Sequence, residues 1–257
     1  MVEFKQGSDL EMNEQFTLGF VLYKDKNIMT SEIARFYKKL WNEDLNMNMG
    51  TTQVTGTINQ FSYVISFVDE PIDRLEMERV AKHNPLFSEG EDIAKRHTCH
   101  AIVGVKGVGS AVARYKVLTQ ILAAMMSTYN AIGVYLGKQS LFYGKDQLLT
   151  EAKKMAKGVL PVSSWIYYGF YSHNQQFWVY SQGLSEFGRE EIEIYSDAHT
   201  MQHMHQLAIA FSFALMSTHR LFEDGEMIEL GEDYVIVHHV YSEALQTNTL
   251  RLEIVGD

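Results

Sequence analysis

The sequence predicts an α+β protein built from two packed ferredoxin-like halves, each with the element order β-α-β-β-α-β. Three observations predict it. Apolar residues switch between period two and helical 3-4 spacing in that order twice along the chain. The two passes also share short strings: LGFVLY against IGVYLG aligns Gly19 with Gly133, and QFSYVISF against QFWVYSQG aligns Gln60 with Gln176, as an internal duplication would leave them. Finally, Tyr234 to Tyr241 is apolar on both alternating faces and LAIAFSFALM (207–216) is apolar all round. Elements of that kind need cover on two sides, which two packed halves provide.

QFTLGFVLY, rich in β-branched and aromatic residues, reads as the first strand, and MTSEIARFYKKLW follows as a helix with Ile33, Phe36, Tyr37 and Leu40 at helical spacing. TTQVTGTI and QFSYVISFVDEP read as two strands. Asp73 and Glu76 stand three apart in capping-box form and predict a helix from Ile72 to His83. After a polar loop, HTCHAIVGVKG supplies the strand that closes the first half. Val112, Tyr115, Leu118, Leu122, Met125 and Tyr129 keep a 3-4 rhythm and predict a helix from Ser110 that joins the halves. Beyond it come AIGVYLG as a strand, KDQLLTEAKKMAKG as a helix closed by Gly158, and VSSWIYYGFYS and QQFWVYSQG as strands. A long helix from Asp197 to His219, the strand DYVIVHHVY and an extra strand TLRLEIV complete the chain. The expected units are 1–108, a connecting helix 109–130, and 131–257, with no Ser/Gly/Pro-rich linker among them.

Lys and Arg total 22 against 32 Asp and Glu, a formal charge of -10 that repels a phosphate backbone, so nucleic acid is not an expected partner. The single cysteine, Cys99, excludes an internal disulfide framework and an all-cysteine zinc site. The opening MVEFKQGSDLEMNEQ lacks the cationic start and apolar segment of an export signal. LAIAFSFALM covers about half of the roughly 20 residues a membrane-spanning helix needs. These features predict a soluble, cytoplasmic protein with no membrane association.

VGVKGVGSAVARYKVLTQ (103–120) most resembles a chemical device. Gly104 and Gly109 have the glycine spacing of a phosphate loop, but Ser110 and Ala111 stand where lysine and a hydroxyl residue are required. The order of its glycines also departs from the dinucleotide pattern. Gly107 and Gly109 read as turn formers and Ser110 as a helix N-cap, and the three together are the anion-binding candidate. His199 and His203, four apart on one face of the long helix, are the metal candidate. His205 falls on another face, Asp197 is the expected cap, and Thr200 stands where a metalloprotease helix carries its glutamate. His97, Cys99 and His100 gather imidazoles and the thiol, but strand alternation separates Cys99 from His100. His238 and His239 are split in the same way. REEIEIYSD and FEDGEMIELGED read as solvated acidic segments, with Asp224-Gly225 as a turn.

SEFGREEIEIYSD, followed by the long helix and then LFEDGEMIELGED, resembles the bacterial domain-of-unknown-function family 4261, and HAIVGVKG with its helix and AIGVYLG is similar to the region that precedes this domain. The resemblance covers residues 97–255 and rests on the string Phe187-Gly188 to Ile194 and on the Asp224-Gly225-Glu226 turn. Met227 departs from the threonine the family carries there. The resemblance implies a soluble bacterial protein and brings no established activity, cofactor or catalytic residue.

Lacking a complete catalytic constellation, the chain is expected to be a non-enzymatic, cytoplasmic protein-binding protein. A regulator or an immunity-type inhibitor, its acidic charge complementing a basic partner, fits that expectation. No cofactor is expected. The alternatives are a metal-dependent enzyme or sensor using His199 and His203 with Glu193 or Asp197 between the halves, and a small-ligand binder in the same crevice.

Overall fold

Strand β1 (Phe16–Tyr23) alternates between exposed and buried residues over its first half and then buries Val21, Leu22 and Tyr23 completely. In the computed structural model, which describes residues 16–84, 86–173, 176–218 and 220–255, the reason is that β1 lies inside a sheet covered on both faces. It pairs antiparallel with β5 (Cys99–Lys106) on one side and β6 (Ala131–Leu136) on the other. Outward from β5 lie β4 (Phe61–Val68), β3 (Gln53–Ile58) and the short β2 (Asn48–Met49), and outward from β6 lies β7 (Leu141–Tyr143). All neighbours in this seven-stranded sheet are antiparallel.

Helix α1 (Thr30–Trp41) buries Ile33 and Tyr37 and ends on Asn42, whose left-handed backbone (φ 56°) returns its N–H to the Lys38 carbonyl. The expected cap of α2 (Arg74–His83) forms, with the Asp73 carboxylate accepting from the Glu76 N–H at 2.9 Å. The Glu76 carboxylate does not close the box; it accepts from the Tyr135 hydroxyl at 2.9 Å. A short helix unmarked by periodicity, α3 (Gly90–Arg96), follows. On the same face of the sheet, Met77, Val80, Ala81, Ile93 and Ala94 pack on Leu22, Tyr135 and Phe142.

Helix α4 (Ala111–Met126) covers β1, β5 and β6 and touches α1 and α5 (Lys145–Met155). Tyr115, Val117, Leu118, Ile121, Leu122 and the run Ala123 to Met126 are all buried, so the helix is enclosed on nearly every side. Its Tyr115 meets Trp165 and Phe187 at ring-centroid distances of 5.8 and 4.6 Å, and its Thr119 hydroxyl accepts from Trp165 Nε1 at 2.8 Å. Both aromatic partners lie beyond α5, so α4 ties the first sheet to the second.

The second sheet takes β8 (Tyr167–His173), β9 (Gln176–Gln182), β10 (Glu191–Tyr195), β11 (Glu226–Leu230), β12 (Asp233–Ser242) and β13 (Thr247–Ile254) in the order β11-β12-β13-β10-β9-β8. Among its neighbours β10 and β13 run parallel and the rest antiparallel. Helix α6 (Met201–Ser217) lies on β9 and β10, and its Met204, Leu207, Ala208 and Phe211 join Val179, Ile192, Ile194, Val237 and Leu252 in one core continuous with that of the first sheet.

The class is therefore α+β, but the ferredoxin-like order is corrected. In the first half β5 sits between β4 and β1, where a ferredoxin-like unit places its first strand between the third and the last. The second half is not a unit either, because β6 and β7 pair with the first sheet across the boundary expected at 130. Element order along a chain constrains strand order only loosely, and the β1–β5 and β1–β6 ladders outcompete the expected pairings. LAIAFSFALM is corrected as well: α6 leaves Ala210 and Phe213 at the surface, Phe213 at 39% exposure, and α4 is the enclosed helix. No helix among the described residues is long and apolar enough to cross a membrane.

His97, at the end of α3, is buried with both ring nitrogens engaged. Nε2 accepts from the Ile72 N–H at 3.1 Å, which leaves the proton on Nδ1 for the Ala94 carbonyl at 2.8 Å. Burial pushes its pKa below the ordinary imidazole value, and a second proton would destroy the acceptor that Ile72 needs. The unfolded chain then binds the proton more readily, so stability is full above about pH 6.5 and falls as the pH drops below it. The unfolding free energy should decline between neutral pH and pH 5, at no more than about 1.4 kcal/mol per pH unit from this residue, and His97→Gln should flatten that decline in urea titrations. Identical pH profiles for the two proteins would remove His97 from the account.

Candidate functional site

The long helix begins later than expected. Thr200, not Asp197, caps α6, its hydroxyl accepting from the His203 N–H at 3.2 Å, while Asp197 accepts from Gln176 Nε2 at 3.1 Å. The shift leaves His199 in the turn before the helix and His203 in its first turn. Their rings nonetheless stack, with centroids 4.7 Å apart and planes inclined at 27°. Ser196 holds His199 from behind: its oxygen accepts from the Ala198 and His199 amides at 3.1 and 2.9 Å and lies 3.1 Å from His199 Nδ1.

The third member of the cluster comes from the far end of the β11–β12 hairpin. Asp233, the first residue of β12, places its carboxylate 3.2 Å from His203 Nε2. One ligand atom each from His199, His203 and Asp233 lies within 4.8 Å of the other two, and all three residues are half-buried. Donors on a tetrahedral zinc ion are about 3.4 Å apart, given bonds of roughly 2.0–2.1 Å. The His203–Asp233 pair already meets that spacing, and His199 needs to close by about 1.4 Å at most. Two imidazoles and one carboxylate form a ligand set for zinc or ferrous iron that leaves coordination positions open.

Neither expected acidic partner takes part. Glu193 is on β10, where Ile192 and Ile194 face α6 and alternation sends Glu193 to the opposite face of the sheet. It is fully buried and accepts from the hydroxyls of Tyr171 (2.9 Å), Ser242 (2.7 Å) and Thr249 (3.1 Å), with Arg251 Nη2 at 3.5 Å. Glu191 is buried too, its carboxylate accepting from the Gly183, Leu184 and Ser185 amides and the Ser181 hydroxyl. REEIEIYSD is thus a strand and not a solvated segment, and its Glu-Ile-Glu-Ile alternation is the period-two signal that reveals it. The crevice expected to hold the site, where Asn84, Phe87 and Phe142 meet Tyr168 and Ile209, has a volume of about 120 Å³ and contains His205 alone among the helix histidines. His205 packs edge-on against Tyr168, and burial lowers its pKa.

The other histidines considered as candidates are engaged elsewhere. Cys99 lies in the main core, where burial raises its thiol pKa, while the His100 ring turns toward Phe20 and engages the Glu70 carbonyl. His238 pairs with Glu253 at 3.0 Å, and His239 bridges Glu190 and the Phe222 carbonyl. The Asp224-Gly225 turn leads into β11, with Gly225 at φ 77° and Asp224 accepting from the His239 N–H.

The anion-binding candidate has a packing explanation. Ser110 caps α4 by accepting from the Ala113 N–H at 3.2 Å, and Arg114 Nη1 donates to the Gly109 carbonyl at 2.7 Å. Gly107 and Gly109 have φ of 150° and 151°, and they let the loop lie against the β3–β4 turn: a Cβ on Gly107 would meet the Gln60 carbonyl oxygen at 2.8 Å. Gly107→Ala should therefore cost about 1–3 kcal/mol in urea unfolding, through both strain and contact. Ser110→Ala should cost about 1 kcal/mol as a lost cap. Phosphate should leave the wild-type midpoint unmoved, and a phosphate-dependent increase lost in Ser110→Ala would restore the anion site. Compared with protein-family models, with curated proteins and with solved structures, the chain finds no match in any of the three.

Proposed function

We propose that the protein is metal-dependent and binds a divalent transition-metal ion through His199, His203 and Asp233. The observation that carries this reading is convergence: three segments, the turn before α6, its first turn and the start of β12, bring two imidazoles and a carboxylate within 4.8 Å. A purely structural zinc site closes all four positions with protein ligands, whereas three protein ligands leave room for an exogenous one. An enzyme or a sensor of a metal-binding ligand fits this arrangement. When bound, such an ion supplies Lewis acidity at its open position. Kinship with family 4261 and a cytoplasmic location belong to the same proposal and add no chemistry to it.

Protein purified without a histidine tag should bind one zinc ion per chain. At a hundredfold excess over the dissociation constant the ion should raise stability by about 2.7 kcal/mol. His203→Ala and Asp233→Asn should each abolish the stoichiometric binding and the thermal shift while the metal-free melting temperature stays near wild type. Substoichiometric zinc, or equal binding by wild type and both variants, would exclude the site.

Binding of a basic protein partner, as a regulator or immunity-type inhibitor, is the second reading, favoured by the formal charge of -10. It predicts a stoichiometric partner whose association slows as salt is raised. An association rate independent of salt would count against it.

A further inference from the structure

The face of the second sheet opposite α6 carries a groove of about 620 Å³ that contains none of the three metal-site residues. This volume falls in the range of small-molecule sites, roughly 300–1,000 Å³. One wall is aromatic. Trp178 on β9 lies between its cross-strand neighbours Tyr171 and Tyr195, with ring centroids at 5.7 and 4.4 Å and interplanar angles of 16° and 28°. Tyr241, 59% exposed, stands at the rim. The floor is the buried Glu193 with Arg251, whose guanidinium also lies 5.0 Å over the Trp178 ring.

Hydrogen-bonding capacity in this groove is unspent on both sides. Trp178 Nε1 and Arg251 Nε are buried donors with no acceptor. Such orphans cost about 1–3 kcal/mol each and call for an explanation. The Tyr171 hydroxyl commits its proton to Glu193 and so presents its oxygen as an acceptor, and Gln176 donates to Asp197, which leaves its amide oxygen; the Ser242 hydroxyl is fully engaged, donating to Glu193 and accepting from the Leu245 N–H. Glu193 and Arg251 compensate each other, so the floor carries no excess charge to draw an ion. A ligand that fits stacks on rings and accepts and donates from adjacent atoms, and the exposed Glu243, which also lines the groove, disfavours an anion.

We propose that this groove binds a carbohydrate, whose ring face packs on the aromatic wall and whose vicinal hydroxyls take up the orphan N–H groups and the committed oxygens. Both orphan N–H groups are covered without a ligand, so the ligand reaches them as the Arg251 guanidinium shifts along the indole face while keeping its contact with Glu193. Because Trp178 is in the wall, its fluorescence reports occupancy. Maltose, cellobiose, lactose and chitobiose, each titrated to about 20 mM as suits weak single-sugar affinities, are the probes. At least one should give a saturable change, weakened about tenfold or more in Tyr195→Ala and in the rim variant Tyr241→Ala. Tyr241 is exposed, so its variant tests the groove even if Tyr195→Ala unfolds. No saturable response to any of the four sugars, binding unchanged in Tyr241→Ala, or tighter occupancy by spermidine or citrate than by any sugar would each overturn the assignment.

Discussion

Enclosure of α4 is the constraint on which the rest of the molecule depends. A helix buried along nearly its whole circumference must be largely apolar and must find partners for the polar groups it buries. Over its second half the sequence answers both demands: the apolar residues from Val117 to Met126 fill the core, and Thr119 donates to the Tyr115 carbonyl while accepting from Trp165. Each fully buried Leu or Ile contributes about 1.5–3 kcal/mol of transfer free energy before chain entropy is counted. Trp165 and Phe187 stack at 5.7 Å and 19° against Tyr115, and the Tyr115 hydroxyl bonds Gln139. The segment after α5 and the loop after β9 are therefore fixed to the same helix that backs the first sheet, and both sheets share one core.

The second sheet has two unlike faces. Toward α6 it offers Val179, Ile192, Ile194, Val237 and Leu252, an aliphatic surface that orients the helix. Away from α6 it offers Tyr171, Trp178, Glu193, Tyr195 and Arg251. Burying the Glu193 carboxylate is tolerable because three hydroxyls and a guanidinium answer it, and burial, reinforced by the bond to Glu193, raises the Tyr171 phenol well above its ordinary pKa. The metal-site cluster belongs to the end of this sheet, since the packing of α6 on β9 and β10 is what brings its first turn beside the start of β12.

Local chemistry was largely legible. The caps at Asp73 and Ser110, the spacing of α1 and α4, and most strands follow from short-range pattern, because capping and amphipathicity are decided within a few residues. The misses have equally physical causes. The three-residue β7 is too short to show a period, and α3 offers only one turn or two of signal. In REEIEIYSD the charges suggest a solvated segment, whereas the Glu-Ile alternation marks a strand buried on both faces. Asp233 carried no signal at all: thirty positions separate it from His203, and nothing local distinguishes it from Asp224 or Glu232.

By itself the sequence determined the α+β class, the helix caps at Asp73 and Ser110, the two histidines at metal-ligand spacing, and the acidic charge, all properties of neighbouring residues. Tertiary structure alone decided which strands became neighbours, which helix was enclosed, and which carboxylate met His203. Those outcomes depend on backbone pairing and on packing between segments tens of residues apart. Many pairings satisfy the same periodicity there, and the competition is settled by whichever arrangement buries α4 and leaves the fewest polar groups unpaired.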